Sequence, residues 1–125
     1  MVLVVEDEPN VSKTLAWLLQ DNGYHTMVSL DAKAALAIAG GIAPDVAIVD
    51  IILPDGDGIE TALQIQNQVP GCKILLTTGN MEGSERILQA RASGIDFHAL
   101  PKPIPVRELL RVLSELTAPP SGAIV

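Results

Sequence analysis

Unbroken apolar runs alternate with stretches of helical period along most of the chain. Met1–Val5 is continuously apolar and stops at Glu6-Asp7-Glu8-Pro9. A run without polar alternation, bounded by turn formers, reads as a strand covered on both faces. Pro9-Asn10 opens a helix whose Val11, Leu15, Leu18 and Leu19 share one side, with Gly23 as its stop. Trp17 falls off that side. Tyr24–Leu30 reads as a short mixed strand. Asp31 caps a helix with a narrow face of Ala32, Ala35, Leu36 and Ala39, which Gly40-Gly41 and Pro44 end. Val46–Asp50 is a third strand, ending on a carboxylate and followed by a loop rich in Pro, Gly and Asp. A helix from Ile59 to Asn67 closes at Pro70-Gly71, and Lys73–Thr78 is a fourth strand running into Gly79-Asn80. Glu82–Ala92 is a more polar helix ending at Ser93-Gly94. Ile95–Leu100 is a fifth strand meeting Pro101-Lys102-Pro103. The last helix, Val106–Leu116, turns Val106, Leu109, Leu110 and Leu113 inward. Residues 1–117 thus form the domain, and 118–125 read as a flexible tail or the start of a linker.

Five strands alternating with five helices predict an α/β domain with a parallel sheet and helices on both faces. With 125 residues, 48% of them hydrophobic, the chain can bury a real core. A net charge of −7 supplies no basic stripe for phosphates, so direct nucleic-acid binding is not expected. Cys72 is the single cysteine, which rules out an intramolecular disulfide and fits a reducing compartment. No apolar run approaches the roughly 18 residues of a membrane span. Met1–Val5 is too short, and lacks the basic start, of a signal peptide. A cytoplasmic domain is expected.

The chemistry gathers at the strand ends. In an open α/β sheet, ligands sit outside the carboxyl ends of the strands. Glu6 and Asp7 follow the first strand, Asp50 ends the third, Thr78 ends the fourth and Lys102 follows the fifth. Adjacent carboxylates repel one another unless a cation or protons compensate. Three of them make a hard oxygen site suited to Mg2+ with retained waters. A hydroxyl and an ammonium opposite suit the oxygens of a phosphoryl group. Taken singly, a strand-end acid is usually solvated, a Thr structural and a Lys exposed; five at equivalent strand ends are not expected by chance.

With these motifs in place, the chain resembles the response-regulator receiver domain of two-component signalling, the CheY-like family. The matching residues are Val4-Val5-Glu6-Asp7-Glu8-Pro9, Asp50 with Pro54 and Gly58 beyond it, Thr78-Gly79, and Leu100-Pro101-Lys102-Pro103. The resemblance covers Val2 to about Leu116. It implies a flavodoxin-like (βα)5 three-layer sandwich with strand order 2-1-3-4-5. It makes Asp50 the phospho-acceptor, with Asp7, Asp50 and the backbone carbonyl of Ile52 binding Mg2+ and Glu6 acting mostly through a metal-bound water. Lys102 would pair with the phosphoryl group, Thr78 would move to hydrogen-bond it, and the Lys102–Pro103 bond would be cis. Thr77 rivals Thr78; Gly79, a small following residue, favours Thr78. The implied partners are a sensor histidine kinase or histidine phosphotransfer protein and an output domain or target protein. Such a domain catalyses its own phosphorylation and dephosphorylation while serving primarily as a switch.

Two departures stand out. Ala99 occupies the place, three residues before the lysine, where relatives usually carry a Tyr or Phe that swings inward, and Phe97 and His98 are in the wrong alternation. Ile52 is bulky where some relatives orient attacking water, so slow loss of phosphate is expected. Trp17 lies on the first helix, which in the family docks the histidine-bearing partner, and is a candidate anchor. Competing readings are a degenerate receiver that docks proteins without phosphorylation and an aspartyl phosphohydrolase. The second lacks an acid two residues after Asp50, where Ile52 stands. A calcium loop at Asp55-Gly56-Asp57-Gly58 fails, because it would put Leu53 first and Gln64 twelfth; the stretch reads as a turn.

Overall fold

The computed structural model describes residues 1–117; the tail assigned to 118–125 lies outside the described residues. Five strands form one parallel sheet: Val2–Val5 (β1), Thr26–Ser29 (β2), Val46–Asp50 (β3), Lys73–Thr78 (β4) and His98–Pro101 (β5). Their order is β2-β1-β3-β4-β5, as the resemblance implies. The helices are Pro9–Asp21 (α1), Ala32–Ile42 (α2), Gly58–Gln68 (α3), Met81–Ala92 (α4) and Val106–Thr117 (α5).

Period-two alternation explains why the central strands are apolar throughout. Val2, Val4, Ile48 and Leu75 face Leu15 and Leu19 of α1 and Leu109, Val112 and Leu113 of α5. Leu3, Val5, Val49 and Leu76 face the other way, onto Ala35 and Ala39 of α2, Ile59 and Ile65 of α3, and Ile87 of α4. The sheet is therefore the middle of three layers. The order in which successive strands are added switches from one side of β1 to the other at the β1–β3 boundary, and there the carboxyl ends open a crevice.

The boundaries differ from expectation where local bonding competes with the sheet. β2 begins at Thr26, not Tyr24, because the Tyr24 N–H donates to Leu19 O and closes the end of α1. β5 begins at His98, not Ile95, because the Ile95 N–H closes α4 on Ala90 O. α2 passes through Gly40-Gly41 and ends at Ala43, which takes the left-handed conformation at φ +48°. α3 starts one residue early, at Gly58, and α4 at Met81. Val106 does not face the core; it is exposed, and Val112 takes the buried position. A two-residue antiparallel ribbon, Ile52–Leu53 with Gly56–Asp57, is not foreshadowed by the pattern and forms the turn between β3 and α3.

Candidate functional site

β1, β3 and β5 end on the same edge of the sheet, with β4 between the last two, and deliver one acid pair, one acid and one base. The Glu6 N–H continues the sheet by donating to Ser29 O at 3.0 Å, which holds its side chain in the interior at 3% exposure. Asp50, also buried, accepts the Ile52 N–H on Oδ1 at 3.0 Å. The Lys102 N–H donates to Thr78 O at 2.8 Å, and its side chain reaches across β4. Lys102 Nζ then donates to Glu6 Oε1 and Asp50 Oδ2, each at 2.7 Å. Asp7 is exposed at the rim. The Lys102–Pro103 bond is cis, as expected.

The loop beneath Asp50 is pinned by backbone contact. The Ile51 N–H donates to Thr77 O at 3.0 Å, and the Gly58 N–H to Ile51 O at 2.8 Å. A Cβ on Gly58 would lie 2.0 Å from the Asp50 carbonyl oxygen and 2.6 Å from Ile51 Cα. Only glycine permits that approach.

Burial, then the neighbouring Asp50 carboxylate, pushes the Glu6 carboxyl up to about 7, and Lys102 offsets this only in part. Burial works against the Lys102 ammonium, but its bonds to Asp50 and Glu6 outweigh that and raise its pKa above the ordinary value. Glu6 and Asp50 therefore already compete for one cation.

Glu6, Asp7 and Asp50 each offer a carboxylate oxygen within 4.8 Å of the others. Glu6 Oε2 is buried with no hydrogen-bond partner among the described residues. A buried acceptor left unpaired is costly, and a hard divalent cation beside it would satisfy it. The donor set fits Mg2+.

Thr78 and Lys102 are adjacent through the backbone, but the Thr78 hydroxyl points elsewhere, donating to Asn80 O at 3.2 Å. Among the described residues no hydrogen bond joins it to Asp50 or Lys102. Thr77 is buried and aligned with Asp50 in the sheet. The structure thus brings Glu6, Asp7, Asp50 and Lys102 together and leaves Thr78 turned toward α4. The Ile52 side chain is exposed beside Asp50, Ala99 is half-buried on β5, and Trp17 is 68% exposed on α1.

Two acids in the neighbouring turn have work that sequence reasoning missed. Asp55 accepts the Ala32 and Lys33 N–H groups at 2.8 and 3.1 Å, capping α2 from another loop, and these bonds lower its pKa. Asp57 caps α3 by accepting the Ile59 N–H at 2.8 Å, and its other oxygen pairs with Arg86 of α4. An Asp just before a helical run was the available signal for Asp57. Nothing local announced Asp55.

Comparison with known proteins agrees with this geometry. A model of the response regulator receiver domain matches residues 2–114. The chain is 34% identical over 125 residues to the response regulator MprA of Mycolicibacterium vanbaalenii, covering 98% of this chain and 53% of that protein. It is 31% identical to the probable transcriptional regulatory protein TcrX of Mycobacterium tuberculosis, covering 92% and 48%. The chain spans about half the length of these relatives. A CheY-like receiver domain from Methanospirillum hungatei superposes with a TM-score of 0.79 at 28% identity, over 91% of this chain and 90% of that one.

Proposed function

The chain belongs to the response regulator receiver family, and from that premise we propose that Asp50 accepts a phosphoryl group from a phosphohistidine and that the domain switches conformation in response. The observation that supports this most directly is Lys102 Nζ, held 2.7 Å from Asp50 at the mouth of an acidic site with one unsatisfied oxygen. A carboxylate oxygen of Asp50 attacks phosphorus, the phosphorus–nitrogen bond breaks, and the leaving imidazole keeps or gains its proton. Attack of an anion on an anionic phosphorus is opposed mainly by charge, so positioning and neutralisation supply most of the catalysis. Lys102 neutralises one side of the transferred group. Mg2+, bound by Asp7, Asp50 and the Ile52 carbonyl with Glu6 behind a water, would supply the other positive charge. Thr78 turns inward to hydrogen-bond the new phosphoryl oxygens.

A sensor kinase or histidine phosphotransfer protein is the proposed donor, acting in the cytoplasm. An output domain or separate target reads the result. The 68% exposed Trp17 on α1 is proposed as a docking anchor for the donor. Trp17→Ala is expected to slow phosphotransfer from a protein donor about tenfold while leaving phosphorylation by acetyl phosphate unchanged. Equal rates from the protein donor would remove Trp17 from the interface.

The direct test is intact-mass analysis after incubation with Mg2+ and acetyl phosphate. One hydroxylamine-labile adduct is expected on the wild type, absent from Asp50→Asn and absent without metal. Ile52, exposed and apolar beside the acceptor, gives water no hydrogen-bond partner there, so the adduct should outlast minutes; a lifetime of seconds overturns that part. No adduct, with no Mg2+ binding by titration, would instead support a docking module without phosphorylation.

A further inference from the structure

Thr78 and α4 are arranged as a seated pair. Gly83, in the first turn of α4, has no room for a side chain: a Cβ there would lie 2.3 Å from the Thr78 hydroxyl oxygen. A glycine within a helix costs about 1 kcal/mol relative to alanine, and here the space it leaves is filled by Thr78. The Asn80 carbonyl that accepts the Thr78 hydroxyl also accepts the Ser84 N–H and hydroxyl, both at 3.2 Å. Departure of Thr78 would therefore leave that carbonyl satisfied. The seat holds Thr78 without trapping it.

α4 itself is weakly anchored. Its buried residues are Gly83 and Ile87 alone, whereas each other helix buries three or more, and Met81 and Leu88 are exposed. Beside it, a groove of about 330 Å³ lies between Thr78, Ser84, Leu88, Ala99 and Pro101. A close-packed interior resists displacement; the small Ala99 leaves α4 room to move. What ties the helix down one turn beyond Gly83 is the ion pair from Arg86 to Asp57. Asp57 belongs to the turn that follows Asp50 and caps α3 with its other oxygen.

We propose that Arg86 and Asp57 are positioning residues whose ion pair holds α4, and through the Gly83 seat Thr78, in the resting arrangement, so that α4 takes the coupling role left open by Ala99. This rests on the phospho-acceptor reading of Asp50. Phosphorylation draws Thr78 off Gly83, α4 settles into the vacated space, and the Arg86–Asp57 pair lengthens. Breaking the pair beforehand raises the fraction of molecules with Thr78 free to turn inward. The rate of phosphorylation rises with that fraction.

The test compares wild type with Asp57→Asn, Arg86→Ala, the double variant and Arg86→Lys. Asn caps a helix as well as Asp does, so Asp57→Asn removes the charge and keeps the cap. Each protein is incubated with Mg2+ and acetyl phosphate, and adduct formation is followed by intact mass, with amide exchange over residues 81–92 before and after. For an ion pair of this exposure, Asp57→Asn and Arg86→Ala should each speed adduct formation about two- to fivefold. The double variant should gain no more than either single one, and Arg86→Lys should stay near wild type. α4 should exchange faster in the two single variants before any phosphate is added. A role confined to stability would not raise the rate. Unchanged or slower adduct formation in both single variants, or gains that add in the double variant, overturns the coupling alone. No adduct on any protein, wild type included, overturns the phospho-acceptor reading and the coupling with it.

Discussion

Gly58→Ala is expected to destabilise the domain by about 3 kcal/mol, the upper part of the range for forcing extra atoms into a packed site. For a chain of this size that corresponds to a fall in melting temperature of roughly 10 °C. The added carbon would meet backbone, at 2.0 Å from Asp50 O and 2.6 Å from Ile51 Cα, so no side chain can swing away to relieve it. Relief requires α3 to lift from the loop, which weakens the bond from the Gly58 N–H to Ile51 O. The same movement displaces Asp50, and adduct formation should fall with stability. Gly41→Ala is the control. Gly41 lies inside α2, and a Cβ added there would meet nothing within 4 Å, so the substitution should stabilise by about 0.5–1 kcal/mol through helix propensity. Thermal melts of both variants decide it: Gly58→Ala melting within about two or three degrees of wild type, by the same scale, would mean that the loop is softer than its contacts imply.

That contrast marks what the sequence could disclose. β1, Val46–Val49 of β3 and Ile74–Leu76 of β4 are legible because residues buried on both faces leave apolar runs with no polar interruption. The edge strands β2 and β5 read too long at their starts, since Tyr24 and Ile95 are as apolar as strand residues but spend their N–H groups closing helices. Val106 misleads for a related reason: it has the helical spacing of a core residue but sits in the first turn, beyond the edge of the layer. Of the site, Glu6, Asp7, Asp50 and Lys102 can be found because a strand end fixes where a residue goes. The direction of the Thr78 hydroxyl cannot, because a rotamer depends on Asn80 and Gly83 in another element. The Arg86–Asp57 pair spans 29 residues and leaves no local pattern at all.

Lys102→Met should slow phosphorylation by acetyl phosphate about a hundredfold, the scale for losing one preorganised electrostatic contact to a transferred group. Its second effect is on stability, and pH gives that effect a signature. With the ammonium gone, Glu6 and Asp50 face each other buried and without a counter-charge. Breaking a fully buried pair costs about 3–5 kcal/mol; Lys102 keeps 23% exposure, so about 2 kcal/mol is expected. In the wild type the Glu6 carboxyl titrates near 7 when folded, against 4.5 as its ordinary value. The folded state thus holds more protons than the unfolded chain across that interval, and stability falls as pH rises through it. The contribution is complete below 4.5 and lost above 7. Lys102 opposes this rise and, with its own pKa raised, stays charged throughout the interval. Removing it pushes the Glu6 carboxyl higher still, so the deficit of the variant should be smallest near pH 5 and largest near pH 8. Mg2+ should recover part of the deficit at pH 8 by supplying, beside Glu6 and Asp50, the positive charge that the ammonium no longer provides. Urea unfolding at the two pH values, with and without Mg2+, measures each of these. A deficit equal at both, and unmoved by the metal, would mean that Lys102 stabilises the fold by packing its aliphatic stem and not by its charge.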